Sequence, residues 1–177
     1  MKITKTKIED CILIEPRIFK DDRGFFLETY QRNKYETFIP AEHEFVQDNV
    51  SFSKKNVLRG LHFQRNNPQG KLVRVLEGKV FDVAVDLRQN SKTFGKHVEI
   101  ILDHSVQNQL WIPPGFAHGF LTLTEGVYFE YKCTDYYDAE DEETLIWNDL
   151  DLKIGWPIQD PLLSPKDSLG KKLRDLF

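Results

Sequence analysis

Arg59 and His62 lie three residues apart in the run Val57-Leu58-Arg59-Gly60-Leu61-His62-Phe63-Gln64, which is otherwise largely apolar. Arg carries a fixed cation with a planar fork of donors suited to phosphate or carboxylate, and His is the side chain best able to exchange a proton near neutral pH. Together they could hold an anion while a proton moves beside it. The run has the composition of a strand, and strict alternation would send side chains three apart to opposite faces. Gly60 permits a bulge that brings both to one face; a regular strand would break the pairing. Taken alone, the octapeptide reads equally well as a surface Arg beside a hydrogen-bonded structural His.

The elements that must position these groups read mostly as strands. The pattern predicts a short strand over 12–18 broken at Pro16, a turn over 20–24 and a second strand over 25–30. About two helical turns follow over 31–38, ended by Pro40, and a strand over 45–51 sets Gln47 and Asn49 on one face. Two amides on one face form a hydrogen-bonding shelf or simply meet solvent. Residues 71–76 and 80–87 form a hairpin about Glu77-Gly78-Lys79. In its second arm Asp82, Ala84 and Asp86 share one face, toward water or a polar cavity, while Phe81, Val83, Val85 and Leu87 share the other. Strands continue over 96–102, 109–112 and 127–134, and Pro113 to Phe120 makes a rigid turn that delivers His118 into a strand. An acidic loop over 138–143 precedes an irregular stretch, with a short helix over 168–176. Short strands separated by turns, with little helix, indicate one all-β domain over 1–177, a sandwich or barrel with short peripheral helices whose lumen can take a ligand.

Composition narrows the function classes. With 177 residues, 40% hydrophobic and 29% charged, the chain is long enough for one substantial core. A formal net charge of −4 argues against a general nucleic-acid binder and requires any phosphate site to be local. The first residues lack the apolar core of a signal peptide, and nothing later is long enough to cross a bilayer. Cys11 and Cys133 lack metal or redox spacing and read as ordinary strand residues, so a reducing cytoplasm is the expected home.

Pro113-x-Gly115-x-x-His118 resembles the second half of the metal-binding pattern of the cupin superfamily. The first half is deficient, since Gln64 stands two residues after His62 and no acidic residue follows until Glu77. His62 and His118 are too few for a dependable first coordination sphere, and no metal is expected.

The whole set of motifs resembles the dTDP-4-dehydrorhamnose 3,5-epimerase family of cupin-like sugar-nucleotide epimerases. The resemblance runs through Asp22-Arg23-Gly24-Phe25-Phe26-x-Glu28, Gln47-Asp48-Asn49, Leu58 to Gln64, Gln69-Gly70-Lys71-Leu72-Val73, Phe81 to Asp86, Trp111 to Phe120, Tyr131-Lys132-x-Thr134, Trp147-Asn148-Asp149 and Leu163-Ser164-x-Lys166-Asp167. Each motif is weak, and their order and spacing together are specific. The resemblance implies a cupin-type jelly roll that inverts C3 and C5 of a dTDP-linked 4-keto-6-deoxy sugar without a cofactor. It assigns the base to His62, its orienting carboxylate to Asp167, the opposing acid to Tyr131 and the cation beside the carbonyl oxygen to Lys71. By the same resemblance Arg59, Arg23 and Lys166 meet the diphosphate, and Phe26 and Tyr137 the thymine. Glu28, Gln47, Asp48 and Asn49 surround the nucleoside and sugar, while His118 and Glu142 also match binding positions. A homodimer with exchanged N-terminal strands is implied too, the segment from Arg23 to Glu28 completing the partner's pocket.

Without the resemblance Lys71 is a solvated strand residue, Tyr131 a core aromatic, Asp167 an N-cap before residue 168, Arg23 with Glu28 a surface pair and Glu142 a loop charge. Three other functions share the fold: epimerisation at one carbon only or on a related deoxysugar, a non-catalytic carbohydrate-binding jelly roll, and a metal-dependent oxygenase.

Overall fold

Inward and outward side chains alternate along most of the chain and build two facing antiparallel sheets. The computed structural model describes residues 1–177. Its order is β1 (Lys2–Lys5), β2 (Ile12–Glu15), β3 (Ile18–Asp21), β4 (Gly24–Leu27), α1 (Arg32–Tyr35), β5 (Gln47–Ser53), β6 (Leu58–Gln64), β7 (Lys71–Glu77), β8 (Lys79–Asp86), β9 (His97–Asp103), β10 (Gln109–Ile112), β11 (Phe116–Thr122), β12 (Val127–Cys133), β13 (Glu142–Thr144), α2 (Pro165–Ser168) and α3 (Leu173–Leu176). The first sheet has the order β1-β2-β10-β7-β12-β5 and the second β13-β6-β11-β8-β9, while β3 and β4 pair only with each other. The protein is all-β. No helix is long and apolar enough to cross a membrane.

The main core lies between the sheets, where Val73, Val75, Leu110, Ile112, Val127 and Phe129 of the first meet Val80, Ala84, Val98, Leu102, Phe116 and Phe120 of the second. A second cluster covers the outer face of the second sheet, and its Leu145, Leu152 and Leu176 pack over Val83, Val85 and Leu87. Both faces of β8 are therefore buried. The polar face read at Asp82 and Asp86 does not meet water, since both carboxylates are fully enclosed.

Several elements differ from the sequence reading. Pro16 separates two strands of different sheets, because it cannot donate to a ladder. The first residues form β1, paired from Lys2 opposite Glu15 to Lys5 opposite Ile12, and the acidic loop contains β13. Both owe their order to a neighbouring strand rather than to their own apolar content. The helix expected over 168–176 is two short ones. Between them Lys171 is drawn into backbone hydrogen bonds with Thr144 and Ile146, and a Cβ on Gly170 would come within 2.8 Å of Ile146 Cα. Asp167 is not an N-cap. Ser164 caps α2 by accepting from the Asp167 backbone N–H, and its hydroxyl donates to the Asp167 carboxylate at 2.7 Å.

Candidate active site

β6 carries one residue more than β11 at the stretch that matters. His62 stands opposite His118 and Arg59 opposite Phe120, so three steps on one strand match two on the other. This bulge brings Arg59 and His62 to the wall of one cavity of about 320 Å³. Gly60 sits inside it at φ +105°, where a Cβ would lie 2.5 Å from the His118 carbonyl oxygen and 2.8 Å from Gly119 Cα. Only glycine fits there.

His62 is held from behind. Its Nε2 lies 2.6 Å from Asp167 Oδ1, and the buried Asp167 also accepts from the Ser164 hydroxyl and the Gly60 backbone N–H. Burial alone would raise the Asp167 pKa, but hydrogen bonds from His62 and Ser164 outweigh it and hold the carboxyl below its ordinary range. The carboxylate fixes both tautomer and ring orientation, leaving Nδ1 of His62 as the free nitrogen, 3.7 Å from Glu142.

The facing wall comes from the first sheet. Tyr131 on β12 stands across from Asn49 on β5, and Lys71 on β7 and Gln47 on β5 flank Cys133 of β12. All five line the cavity. His62 and Tyr131 thus reach it from opposite sheets. Burial raises the Tyr131 phenol pKa, against which the Arg59 charge acts. The Lys71 ammonium makes no hydrogen bond or ion pair with the protein, and burial lowers its pKa while Asp82 acts the other way. An unpaired cation in an enclosed polar cavity is suited to charge that arrives with a ligand.

The remaining wall is polar and internally bonded. Arg59 donates to Ser53 Oγ at 3.0 Å and to the Phe52 carbonyl at 3.1 Å. Gln47 donates to Asn49 and accepts from the Tyr137 backbone N–H, and the Tyr137 hydroxyl donates to Glu142 at 2.9 Å. Lys166 also pairs with Glu142. His118 Nε2 lies 2.9 Å from Asp82 Oδ2, so the two cavity histidines address separate carboxylates. Arg59 and Lys71 thus place two basic groups in the wall of one cavity within an acidic chain, beside the carboxylate of Glu142.

Gln47, Asn49, Arg59, His62, Lys71, His118, Tyr131, Tyr137 and Glu142 therefore meet in one cavity, with Asp167 and Lys166 attached to its wall. Four residues do not. Arg23 pairs with Asp21 and Phe26 is 69% exposed, both on the β3–β4 hairpin, while Glu28 pairs with Lys34. Asp48 is turned outward by the alternation of β5 and pairs with Lys132. The sequence reading left out Ser51, Gln69, Phe120, Phe129 and Cys133, which also line the cavity. Ser51, Phe120, Phe129 and Cys133 stand two residues from Asn49, His118 and Tyr131, so alternation was signal enough to find them. Gln69, in a loop, has no such pattern.

Comparison with known proteins gives a consistent set of relatives. The family model of dTDP-4-dehydrorhamnose 3,5-epimerase matches residues 5–175. A dTDP-4-dehydrorhamnose 3,5-epimerase of Pseudomonas aeruginosa is 53% identical, over 99% of this chain and 97% of its own. The crystal structure of the dTDP-6-deoxy-D-glucose-3,5-epimerase of Legionella pneumophila, in complex with dTDP-4-keto-L-rhamnose, matches with a TM-score of 0.95 at 50% identity, covering 98% of this chain and 93% of that one. The dTDP-4-dehydrorhamnose 3,5-epimerase of Bacillus anthracis, with TDP and PPi bound, matches at 0.93 and 45% identity, covering 97% and 98%.

Proposed function

The chain belongs to the dTDP-4-dehydrorhamnose 3,5-epimerase family, and from that membership we infer that it inverts C3 and C5 of dTDP-4-dehydro-6-deoxy-D-glucose to give dTDP-4-dehydro-L-rhamnose, a step of dTDP-rhamnose biosynthesis. The observation that carries the mechanism is the pairing of walls: His62, backed by Asp167, faces Tyr131 across one cavity that also holds the unpaired Lys71.

The substrate's own ketone makes the hydrogens on C3 and C5 acidic, so the reaction calls for no cofactor. His62 takes the proton through Nδ1, the nitrogen that Asp167 leaves free, and Asp167 stabilises the imidazolium that results. The electron pair moves onto the carbonyl oxygen as an enolate, beside the Lys71 ammonium. Reprotonation from the face opposite His62 inverts the carbon, and Tyr131 stands on that side. A buried neutral phenol is a fitting donor, since its raised pKa keeps the proton in place until the carbanion forms. Arg59 and Lys166 meet the diphosphate, Tyr137 the thymine, and Gln47, Asn49, His118 and Glu142 the nucleoside and sugar.

The two facing sheets are read as a cupin-type jelly roll forming one domain over 1–177, working in the cytoplasm, where two free buried cysteines are in keeping with a reducing compartment. The protein acts as a homodimer that exchanges its N-terminal strands. A two-stranded hairpin is marginal alone, and β3–β4 exposes Phe19, Phe25 and Phe26, an apolar face fit to cover a second copy and bring Arg23, Phe26 and Glu28 to its cavity. Sedimentation equilibrium should give a dimer, and Arg23→Ala should weaken dTDP binding; a monomer with full affinity for dTDP contradicts the exchange.

Incubation with the 4-keto substrate in deuterated water tests the reaction, with NMR locating the label. Deuterium is expected at both C3 and C5 of the product. Label at C3 alone identifies a mono-epimerase, and binding without exchange a carbohydrate-binding module.

A further inference from the structure

Gln64 stands on β6 two residues beyond His62, opposite Glu142 of β13, and is buried outside the cavity wall. Its amide makes every contact with backbone. Nε2 donates to the Asn67 carbonyl at 2.8 Å and to the Tyr136 carbonyl at 3.2 Å, while Oε1 accepts from the Asp138 N–H at 2.9 Å. Both amide hydrogens and the carbonyl oxygen are thus engaged, as a buried amide requires.

Two of the groups it holds lie on either side of Tyr137. The peptide before Tyr137 is fixed twice, at its carbonyl by Gln64 and at its N–H by Gln47 Oε1 at 2.9 Å. The peptide after it is fixed at the Asp138 N–H, again by Gln64. Two successive planar peptides set φ and ψ of the residue between them, and with them the direction of its side chain. Tyr137 needs this outside support, because residues 134–141 between β12 and β13 belong to no strand or helix. The residue is half exposed at the cavity, and apart from these backbone bonds its hydroxyl alone is tied, to Glu142.

We propose that Gln64 is a positioning residue for nucleotide recognition: by clamping the backbone on both sides of Tyr137 it holds that ring where a pyrimidine base stacks on it. This rests on Tyr137 meeting the thymine, as inferred above. β6 then carries the proton-transferring His62 and, two residues on, the support of the base contact, so that sugar and base are registered against one strand. Because Arg59 and Lys166 meet the diphosphate, the chemical signature is a loss of affinity confined to the base.

The test compares Gln64→Met, Tyr137→Ala and the double variant with the wild type. Titration calorimetry gives the Kd for dTDP and for inorganic pyrophosphate, which has no base, and steady-state kinetics gives KM and kcat for the 4-keto substrate. Tyr137→Ala is expected to weaken dTDP binding about 10- to 100-fold, the range for one base–aromatic stack. Gln64→Met, similar in length but without the amide, should weaken it about 10-fold. KM should rise with kcat and pyrophosphate affinity kept, and the double variant should bind dTDP no more weakly than Tyr137→Ala. Wild-type dTDP affinity in Gln64→Met, an equal loss for pyrophosphate, a fall in kcat without a rise in KM, or additive losses overturn the proposal. If Gln64→Met does not fold, Gln64→Glu, which keeps an acceptor for the Asp138 N–H, must show the same loss confined to the base. Wild-type dTDP affinity in Tyr137→Ala would instead refute the thymine contact itself.

Discussion

His62 and Asp167 are separated by 105 residues in sequence and by 2.6 Å between Nε2 and Oδ1. The contact joins a strand of the second sheet to the first turn of α2, near the chain's end, and α2 is set by Ser164 capping its N-terminus. A base and the carboxylate that orients it are thus fixed by different parts of the fold, which makes the pair separable by mutation.

Asp167→Asn should lower kcat by roughly 10³-fold, because the amide can no longer stabilise the imidazolium and can turn its N–H₂ toward Nε2, selecting the wrong tautomer. The affinity for dTDP should change little. Steady-state kinetics with isothermal titration checks both, and an unchanged kcat removes Asp167 from the mechanism.

Tyr131→Phe removes a proton donor and leaves the opposite wall intact. Proton abstraction by His62 should persist, so substrate recovered from deuterated water should carry label while inverted product falls by at least about 10²-fold. Product formed at the wild-type rate would show that the second proton comes from elsewhere.

Gly60→Ala tests the bulge. The added Cβ would meet backbone atoms at 2.5 and 2.8 Å, and φ +105° is strained for any L side chain. A loss of about 3 kcal/mol or more is expected in urea unfolding, with activity lost in whatever fraction still folds. Wild-type stability in this variant would mean that the bulge accommodates a side chain.

Asp86 offers a pH test. Burial would raise its pKa, but hydrogen bonds from Arg88, Ser91 and Thr93 hold it near 2, below the unfolded value of about 3.9. Its ionised form therefore stabilises the fold above pH 4, and this contribution drains away as pH falls from about 4 toward 2. Unfolding of the wild type and Asp86→Asn should differ widely at pH 7 and less at pH 3. A gap that stays constant would show that the two states share one pKa.

Much of the fold was legible because strand periodicity is local. The inward row of Gln47, Asn49 and Ser51 and the limits of β10 follow from alternation and punctuation alone. Gly60 between Arg59 and His62 marked a place where alternation had to fail if the two side chains were to share a face. Elements that depend on a neighbour were not legible: β1 and β13 are ordered by the strands beside them, and α2 and α3 are kept apart by the pairing of Lys171 with the backbone of Thr144 and Ile146. Periodicity also treats a strand buried on both faces like one with a wet face, so Asp82 and Asp86 could not be placed from it.

By itself the sequence determined the kinds of chemical group at hand, their order along the chain and their resemblance to one epimerase family, because side-chain chemistry and strand periodicity need no tertiary context. Only the tertiary structure decided that His62 and Tyr131 enter one cavity from opposite sheets, that Asp167 stands behind the first of them, and that Asp82 is buried behind His118. Those relationships span dozens of residues, and they arise from sheet pairing, the bulge in β6 and the burial of apolar faces, which act on the chain only when it is folded.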